Sequence, residues 1–584
     1  MRGDYRVLAN RKVRLWIYWP HQESNMKRQL AVVSVLAAAV TLVIQGCGGV
    51  SAATTDPIAQ NRKSTEYYLD NGQTRISEEE ARVAVASGKA RNVILFVGDG
   101  MGVSTVTAAR IFDGQMQAKD GESNSLYMEK FPYLAMSKTY SVNQQTADSA
   151  PTMTAMVTGV KTKEGFLSTV GTIKKNDAAG CAETNRLGTI GELAEVAGMS
   201  TGVVSTARIT HATPAAVYAH TPNRDAESDK DQNDLITAGA LAATGCTDIA
   251  RQMVNFGSGQ NGSVLFGDGS GLEVALGGGR RAFLPSSVTD VEGTKGRRTA
   301  GDLTADWLTR YATSNGSVVN TRAQLNALDP TKVDHVLGLF NASHMDYDTD
   351  RVVDVTGNKD EPSLAEMTET AIKVLRKNPK GYFLMVEGGR IDHAHHAGNA
   401  YRALNDVRAF NAAIQKADEL TNDDDTLIVV TADHSHTLTL GGYPFRNNPI
   451  LGLTTEATSD TGDKAAAPAV DMLGLPYTTL MYANGLGYGE SVPAETNPKS
   501  DKTATTPGSL KNPRADLTGK DAAVQDKNYH QEALVAMASE THAGEDVMIF
   551  AKGPGAHLFR GVVEQSYIYH VMTNASAPLK ALSK

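Results

Sequence analysis

Four short apolar segments constrain the fold of this chain more than any other feature of its sequence. They span residues 93–97, 202–205, 382–386 and 427–430, and each ends in polar or glycine residues before a segment of helical character. Strands buried on both faces have such continuous apolar sequences, and their alternation with helices is typical of parallel sheets. The sequence therefore predicts an α/β fold with a doubly wound, mostly parallel central sheet flanked by helices. Because ligands bind at the carboxyl ends of strands in such sheets, the polar residues after these segments are candidates for a functional site.

The composition and net charge limit the kinds of molecule that this protein can be expected to bind. Of the 584 residues, 41% are hydrophobic and 21% are charged, which is typical of a soluble globular protein with a sizeable core. The formal net charge of -9 argues against nucleic-acid recognition, because proteins that bind the phosphate backbone usually carry a basic face. A local cationic pocket and bound metal ions remain compatible with this charge.

Residues 1–47 are predicted to be a leader with an export signal. A basic pair at 27–28 precedes an apolar run over 30–44, which is shorter than a transmembrane helix requires. The run ends in QGC at 45–47, which resembles the lipobox of bacterial lipoproteins, although glutamine is unusual there. Cys47 is therefore a candidate for lipidation, and plain cleavage nearby or a retained anchor are the alternatives. We expect the protein to be exported to the periplasm or the cell surface, where a lipid on Cys47 would anchor it to the membrane.

The two other cysteines, Cys181 and Cys246, form either one disulfide or two buried thiols. Export favours the disulfide, because oxidising compartments allow it to form.

A single acidic residue, Asp99, follows the first apolar segment in the sequence VGDGMG. Burying an unpaired carboxylate costs on the order of several kcal/mol unless a cation or hydrogen bonds compensate for it. Asp99 therefore either caps a turn or holds a metal ion.

The third apolar segment is followed by VEGGRIDHAHHAG, which contains Glu387, Asp392, His393 and His396. If the sequence from Asp392 to His396 is helical, the i, i+4 spacing places these two side chains on one face, where they can bind one cation.

Two further motifs carry Asp and His residues. TADHSH, with Asp433 and His434, follows the fourth apolar segment, and ETHAGED, with His542, lies near the carboxyl terminus. Taken singly, an Asp-His pair is more often a cap or a surface pair than a set of ligands. The recurrence of such groups after three strand-like segments indicates a site for several metal ions. Imidazole with carboxylate suits zinc, and hydroxyl with carboxylate suits magnesium.

The sequence TADSAPTMTAMVTG offers a nucleophile, Ser149. Pro151 suits the first turn of a helix, and the unpaired N–H groups at a helix start favour an anion such as phosphate. The alternative is that Ser149 or Asp148 only caps this helix. No G-x-S-x-G motif surrounds Ser149, which disfavours a Ser-His-Asp hydrolase, whereas a bound metal could activate the hydroxyl.

The sequence STARITHATPAAVYAHTPNRD places His211 and Thr213 just after the second apolar segment, with Arg224 further on. Arg224 is either a solvated loop residue or a clamp that binds phosphate through two hydrogen bonds.

Together these motifs resemble those of the alkaline phosphatases. NVILFVGDGMG, DSA, THATPAAVYAH, MVEGGRIDHAHHAGNAYRAL, TADHSHT and ETHAGEDV occur here in the order of that family, between about residues 91 and 572. The resemblance implies a metal-dependent phosphomonoester hydrolase of broad specificity that acts at alkaline pH and releases inorganic phosphate. It also implies two Zn²⁺ and one Mg²⁺ per subunit and assembly as a homodimer.

The resemblance assigns roles to individual residues. Ser149 would attack phosphorus and form a phosphoserine intermediate, and Arg224 would bind two non-bridging phosphate oxygens. The implied metal ligands are Asp392, His396 and His542 for the first zinc; Asp99, Asp433 and His434, with Ser149, for the second zinc; and Asp99, Thr213 and Glu387 for magnesium.

Histidines at 211 and 393 resemble the animal-type branch of the family, since some bacterial members carry Asp and Lys there. This implies that His211 orients a water at the magnesium site and that His393 acts through water on phosphate or zinc. The alternative is that both are polar neighbours without effect on rate. The animal-type branch also has a disulfide at about the separation of Cys181 and Cys246.

The resemblance also divides the chain. Residues 48–85 would be a linker and N-terminal segment, and residues 86–584 the catalytic domain. Residues 441–530, dense in Pro, Thr, Ser and Lys, resemble the crown region, an insertion near the dimer interface of the family.

Two other functions are compatible with parts of the sequence. A phosphodiesterase, a sulfatase or a phosphoglycerate mutase of the same metal-hydrolase superfamily would share the metal motifs, but the segment from Ser149 lacks the arginine of the sulfatase motif C/S-x-P-x-R. A non-catalytic lipoprotein that captures phosphate or metal ions would share the ligands without the turnover.

Overall fold

The structure is a computed structural model that describes residues 89–236, 246–258, 270–351, 360–488 and 514–583. The predicted leader with Cys47 and the predicted linker over 48–85 lie outside these residues. Within the described ranges, each helix is too short or too polar to cross a membrane.

Strands from distant parts of the chain build the centre of the molecule. In chain order the strands are β1 Asn92–Gly98, β2 Tyr133–Lys138, β3 Ser200–Arg208, β4 Val274–Gly278, β5 Gly316–Val319, β6 His335–Leu339, β7 Tyr382–Glu387, β8 Thr426–Ala432, β9 Ser435–His436, β10 Leu438–Leu440, β11 Leu480–Gly485, β12 Ala533–Ala536, β13 His542–Ala543, β14 Val547–Lys552 and β15 Val562–Glu564. Ten of them form one sheet in the order β15-β2-β14-β8-β1-β7-β3-β4-β6-β5. Its neighbouring strands are parallel except where β14 pairs with β2 and β8. The predicted mostly parallel sheet is confirmed.

The four apolar segments of the sequence lie in adjacent central strands, β8, β1, β7 and β3. Their carboxyl ends are level, because Val97 and Ser205 both pair with Glu387, and Gly98 pairs with Ala432. Polar residues that follow these strands are thereby brought to one edge of the sheet.

Both faces of the sheet are buried, as the continuous apolar sequences predict. In β1, Val93, Leu95 and Val97 pack into a hydrophobic cluster on one face, and Ile94 and Phe96 pack into the cluster on the other. All five side chains are fully buried. Burying apolar surface on both sides fixes the position of the central strands.

Helices cover the two faces and supply several site residues. In chain order they are α1 Val103–Met116, α2 Ser149–Thr158, α3 Ile190–Ala197, α4 Ala212–Ala215, α5 Asp229–Leu235, α6 Ile249–Asn255, α7 Leu303–Arg310, α8 Arg322–Ala327, α9 Asp348–Arg351, α10 Leu364–Leu375, α11 Arg390–His396, α12 Ala400–Leu420, α13 Asp521–Val524, α14 Tyr567–Ala575 and α15 Ala577–Leu582. Local sequence sets their starts: Ser363 and Glu366 form a capping box at α10, and the Asn399 side chain accepts a hydrogen bond from the Arg402 N–H at α12.

Two small sheets lie beside the main one. Strands β10, β11 and β12 form the first, and β9 pairs with β13 in the second, which places His542 opposite His436. The insertion predicted over 441–530 is described up to residue 488 and from residue 514. Its described part contains β11, α13 and a small apolar cluster of Leu453, Leu517 and Val524.

Candidate active site

The predicted site residues meet at the carboxyl edge of the central strands. Asp99 follows β1, Glu387 ends β7, and Asp433 and His434 follow β8. These four side chains are fully buried. Thr213 also lies at this edge, on α4 shortly after β3, and is fully buried too.

Ser149 lies at the start of helix α2, beside one group of potential ligands. Asp148 is the N-cap of this helix and Ser149 is its first residue. The Ser149 Oγ is 3.3 Å from His434 Nε2 and 3.5 Å from each carboxylate oxygen of Asp99. His434 Nε2 is in turn 3.3 Å from Asp433 Oδ2. Asp99, Asp433 and His434 can thus hold one ion next to the Ser149 hydroxyl.

A second group lies between α11 and β13. Asp392 and His396 lie on one face of α11, as predicted, with His396 Nε2 3.4 Å from Asp392 Oδ1. His542 Nε2 is 3.3 Å from the same oxygen and 3.1 Å from His396 Nε2. Three ligand atoms therefore converge from a helix and a distant strand, which is a geometry that suits zinc.

The third group contains two carboxylates and one imidazole. Asp99, Glu387 and His211 each offer one ligand atom within 4.8 Å of the others. The Ser205 hydroxyl donates to Glu387 Oε2, whereas Glu387 Oε1 and Thr213 Oγ1 are buried without a hydrogen-bond partner among the described residues. Buried oxygens are rarely left unpaired, so these two fit a bound cation, and a hydroxyl with carboxylates suits magnesium.

The charges of the site also fit bound cations. Burial, with Asp433 and Asp392 nearby, raises the pKa of Asp99 well above its usual value, and burial raises the pKa of Glu387 to about 7. Burial and the His542 imidazole lower the pKa of His434, which keeps its ring neutral and able to bind a metal. Positive ions would relieve the repulsion among these carboxylates and are the natural counter-charge.

Arg224 is held at the site by two side chains. Its Nη1 donates to Asp148 Oδ2 at 2.9 Å, and its Nη2 donates to His211 Nε2 at 2.9 Å. Burial and the guanidinium groups of Arg224 and Arg208 lower the pKa of His211, so its ring is neutral and can accept this bond. Asp148 therefore both caps α2 and orients Arg224 beside the start of the serine helix.

His393 lies in a cluster of three imidazoles that also contains His211. The third member, His344, was not predicted from the sequence, and its ring centroid is 4.0 Å from that of His393 and 5.2 Å from that of His211. His344 Nε2 is 2.6 Å from Arg208 Nη1. His344 lies in the connection after β6, outside the motifs found in the sequence. Only the fold brings its ring to this cluster.

Two other residues missed as site residues contact the predicted ligands. His436, inside the TADHSH motif, lies 2.7 Å from Asp392, and Glu540, inside ETHAGED, lies 2.5 Å from His436. Although burial alone would lower it, Glu540 and Asp392 raise the pKa of His436 to about 10. Their position inside two metal motifs was the available signal.

The two cysteines lie away from this site. Cys181 and Cys246 form a disulfide, with 5.2 Å between their Cα atoms, in a small apolar cluster with Ala178, Ala226 and Ile236.

Comparisons with known proteins agree with this geometry. The family model described as "Alkaline phosphatase" matches residues 90–577. An alkaline phosphatase of Gadus morhua is 41% identical over 520 residues, which cover 88% of this chain and 97% of that protein. The tissue-nonspecific alkaline phosphatase isozyme of Homo sapiens is 41% identical over 534 residues, 90% of each chain.

Solved structures share the fold. The crystal structure of Thermus thermophilus alkaline phosphatase matches with a TM-score of 0.56 at 23% identity, covering 84% of this chain and 92% of that one. A variant of the TAB5 alkaline phosphatase with Mg bound matches with a TM-score of 0.51 at 20% identity, covering 84% of this chain and 99% of that one.

Proposed function

The chain belongs to the alkaline phosphatase family and is a metal-dependent phosphomonoester hydrolase, and from this premise we propose how its own residues carry out the reaction. Ser149 is the nucleophile, and phosphate transfer to it gives a phosphoserine. A water molecule then releases inorganic phosphate. The observation that carries this proposal is the position of the Ser149 hydroxyl, buried at a helix start and within 3.5 Å of both Asp99 and His434.

We assign the metal ligands as two zinc sites and one magnesium site. The first zinc site is Asp392, His396 and His542; the second is Asp99, Asp433 and His434, beside Ser149; the magnesium site is Asp99, Thr213 and Glu387. When bound, these ions would lower the pKa of the serine hydroxyl and of the attacking water and would neutralise charge on the phosphoryl oxygens.

The protein positions the phosphoryl group for in-line attack. Arg224, oriented by Asp148, binds two non-bridging oxygens through its planar guanidinium. The first N–H groups of α2 add positive potential next to Ser149. Attack by Ser149 forms the Ser–O–P bond as the ester oxygen leaves with the alcohol, and water then attacks phosphorus as Ser149 leaves. Since these contacts engage only the phosphoryl group, we propose broad monoester specificity and, as in the family, activity at alkaline pH.

His211 and His393 have supporting roles in this proposal. His211 accepts a hydrogen bond from Arg224, so it helps to orient the clamp, and we propose that it also orients a water at the magnesium site. His393 would act through water on phosphate or zinc.

We further propose an exported enzyme that assembles as a homodimer. Residues 1–47 would direct export, with Cys47 as a lipid anchor to the periplasmic or outer face of a membrane. Residues 48–85 would be a linker, and residues 86–584 the catalytic domain. The apolar side chains of Met472 and Leu473, which are exposed on the crown-like insertion over 441–530, support an interface between two copies.

Hydrolysis of p-nitrophenyl phosphate, measured together with metal content, tests the catalytic proposal. Wild-type protein loaded with zinc and magnesium should hydrolyse the monoester far faster than bis(p-nitrophenyl) phosphate. Ser149→Ala should keep its metals and lose at least ~10³-fold in kcat, because the nucleophile is gone. A folded, metal-loaded wild-type protein without turnover would favour a binding protein instead, and a preference for the diester would favour a phosphodiesterase.

A further inference from the structure

Glu540 is a buried carboxylate that contacts the proposed first zinc site without belonging to it. It is 1% exposed, and its Oε2 lies 2.5 Å from His436 Nδ1. Its Oε1 accepts hydrogen bonds from the Thr437 N–H at 2.7 Å and from the Thr437 hydroxyl at 2.5 Å. Because both oxygens are engaged, the carboxylate is held in one orientation.

Both ring nitrogens of His436 face carboxylates. Nδ1 contacts Glu540, and Nε2 lies 2.7 Å from Asp392 Oδ1. A ring nitrogen that donates its proton to a carboxylate has no lone pair for a metal ion. His436 is close enough to Asp392, His396 and His542 to complete a set of four ligands, yet these contacts make it a support for Asp392. Three ligands then remain, the number that leaves catalytic zinc an open position.

The backbone of Glu540 holds a second ligand of the same site. Its N–H donates to the His396 carbonyl at 3.0 Å, and its carbonyl accepts from His396 Nδ1 at 2.6 Å. A proton on Nδ1 leaves the lone pair on Nε2, the nitrogen that faces Asp392 and His542. Glu540 thus fixes both the ring orientation and the tautomer of His396.

We propose that Glu540 is a positioning residue for the first zinc site. Its carboxylate holds Asp392 through His436, and its backbone holds His396. The inference rests on the proposed function, since it takes Asp392, His396 and His542 as zinc ligands. Removing partners of this kind typically costs 10–100-fold in metal affinity. Ser149 and Arg224 do not contact Glu540, so the phosphate-binding half of the site should be unaffected.

Zinc titration of the metal-free full-length protein against a chelator of known affinity tests the proposal without any turnover. In Glu540→Gln, one of the two zinc equivalents should bind about 10–100-fold more weakly and the other should be unchanged. Cobalt(II) in place of zinc should show an altered visible spectrum for the weakened site only. Both equivalents bound within twofold of wild type by a folded Glu540→Gln protein would overturn the proposal.

Three further variants sharpen the test. Glu532→Gln is the matched control, because Glu532 bonds Arg514 and Thr478 and contacts none of the proposed ligands. The Glu532→Gln protein should bind zinc as wild type does. Zinc binding weakened as much as in Glu540→Gln would overturn the proposal. His436→Gln should weaken the same equivalent, and the double variant with Glu540→Gln should lose no more than the worse single variant. A multiplicative loss would mean that the carboxylate does not act through His436.

If Glu540→Gln does not fold, Thr437→Val provides the test. This variant removes one hydrogen bond to the Glu540 carboxylate and should weaken the same zinc equivalent to a smaller extent, whereas unchanged zinc binding would overturn the proposal. These affinities are independent of the phosphatase assay. A wild-type protein that binds zinc but hydrolyses no monoester would overturn the proposed function, while the zinc titrations would still judge Glu540.

Discussion

Two groups of buried carboxylates lie at opposite ends of the central strands. Asp99, Asp433 and Glu387 lie at the carboxyl edge, whereas Glu273 directly precedes β4 and meets Glu195 of α3 at the amino edge. Burial raises the pKa of Glu387 to about 7, that of Glu195 to about 7 and that of Glu273 to about 8. At both ends of the strands, therefore, burial disfavours the ionised form of the carboxyl groups.

The two groups differ in what surrounds them. At the amino edge, the Ser270 hydroxyl lies 2.6 Å from Glu273 and 3.3 Å from Glu195, and the Thr201 and Gly271 N–H groups donate to the two carboxyls. A hydroxyl has one proton to donate, so both Ser270 contacts are hydrogen bonds only when one carboxyl keeps its own proton.

At the carboxyl edge, the Ser205 hydroxyl donates to Glu387 and the Gly100 N–H donates to Asp433, but imidazole nitrogens also lie beside the carboxylates. The lone pairs of these nitrogens are suited to cations, as are Thr213 Oγ1 and Glu387 Oε1, which have no hydrogen-bond partner in the described part of the chain. The difference shows that a raised carboxylate pKa alone does not identify a catalytic site. In our proposal, metal ions compensate for the charge at the carboxyl edge, whereas protons compensate for it at the amino edge.

The largest expected effect comes from Asp99→Asn, because Asp99 is assigned to both the second zinc and the magnesium site. We expect kcat for p-nitrophenyl phosphate to fall by about 10²–10³-fold and both metals to be depleted together, as measured by elemental analysis. Asp406→Asn is the control, since Asp406 is a buried aspartate outside the metal groups. The Asp406→Asn protein should keep its metals. Depletion of only one metal would show that Asp99 does not bridge the two sites.

Most of the carboxyl edge could be predicted from the sequence, because its residues directly follow uninterrupted apolar strands. Asp99 after β1 and Asp433 after β8 are local signals. The helical spacing of Asp392 and His396 is local too. The strands that pair at one side of the sheet were harder: only two of the six residues of β2 are buried, so it does not have the profile of a strand buried on both faces.

The amino-edge pair could not be predicted. Glu195 lies within a helix and Glu273 before a strand, and neither belongs to a motif. Their contact depends on how α3 packs beside the start of β4. The same reason explains why His344 was missed, since only tertiary packing brings its ring next to His211 and His393.

Metal removal should destabilise the carboxyl edge and leave the amino edge unaffected. Chelation with EDTA should lower Tm by about 10 °C, because bound ions stabilise the folded state. The loss should be greater at pH 9 than at pH 6. In the metal-free protein the raised pKa values of Asp99 and Glu387 mean that folding opposes their ionisation, so stability falls as pH rises from about 4.5 through about 7, the raised pKa of Glu387. Calorimetry of metal-free and metal-loaded protein at both pH values measures this, and an equal loss at each would contradict the assignment.

The smallest effect is expected at the amino edge and should appear with all metals bound. The pKa values of Glu195 and Glu273 are raised to about 7 and about 8 in the folded protein from an ordinary value of 4.5, so the folded state holds more protons than the unfolded state across that window. Stability contributed by the pair is therefore complete below about pH 4.5 and is lost as pH rises through about 8.

Glu273→Gln tests this loss, because the amide cannot ionise. The Tm of the wild-type protein, loaded with metals, should fall by about 2–5 °C more between pH 6 and pH 9 than the Tm of Glu273→Gln. The exposed Glu419→Gln is the control: its pKa is lowered, so its contribution changes only in acid and the wild-type slope should persist. Equal slopes in wild type and Glu273→Gln would mean that the amino-edge pair stays ionised without cost, and the contrast with the metal-binding carboxylates would then fail.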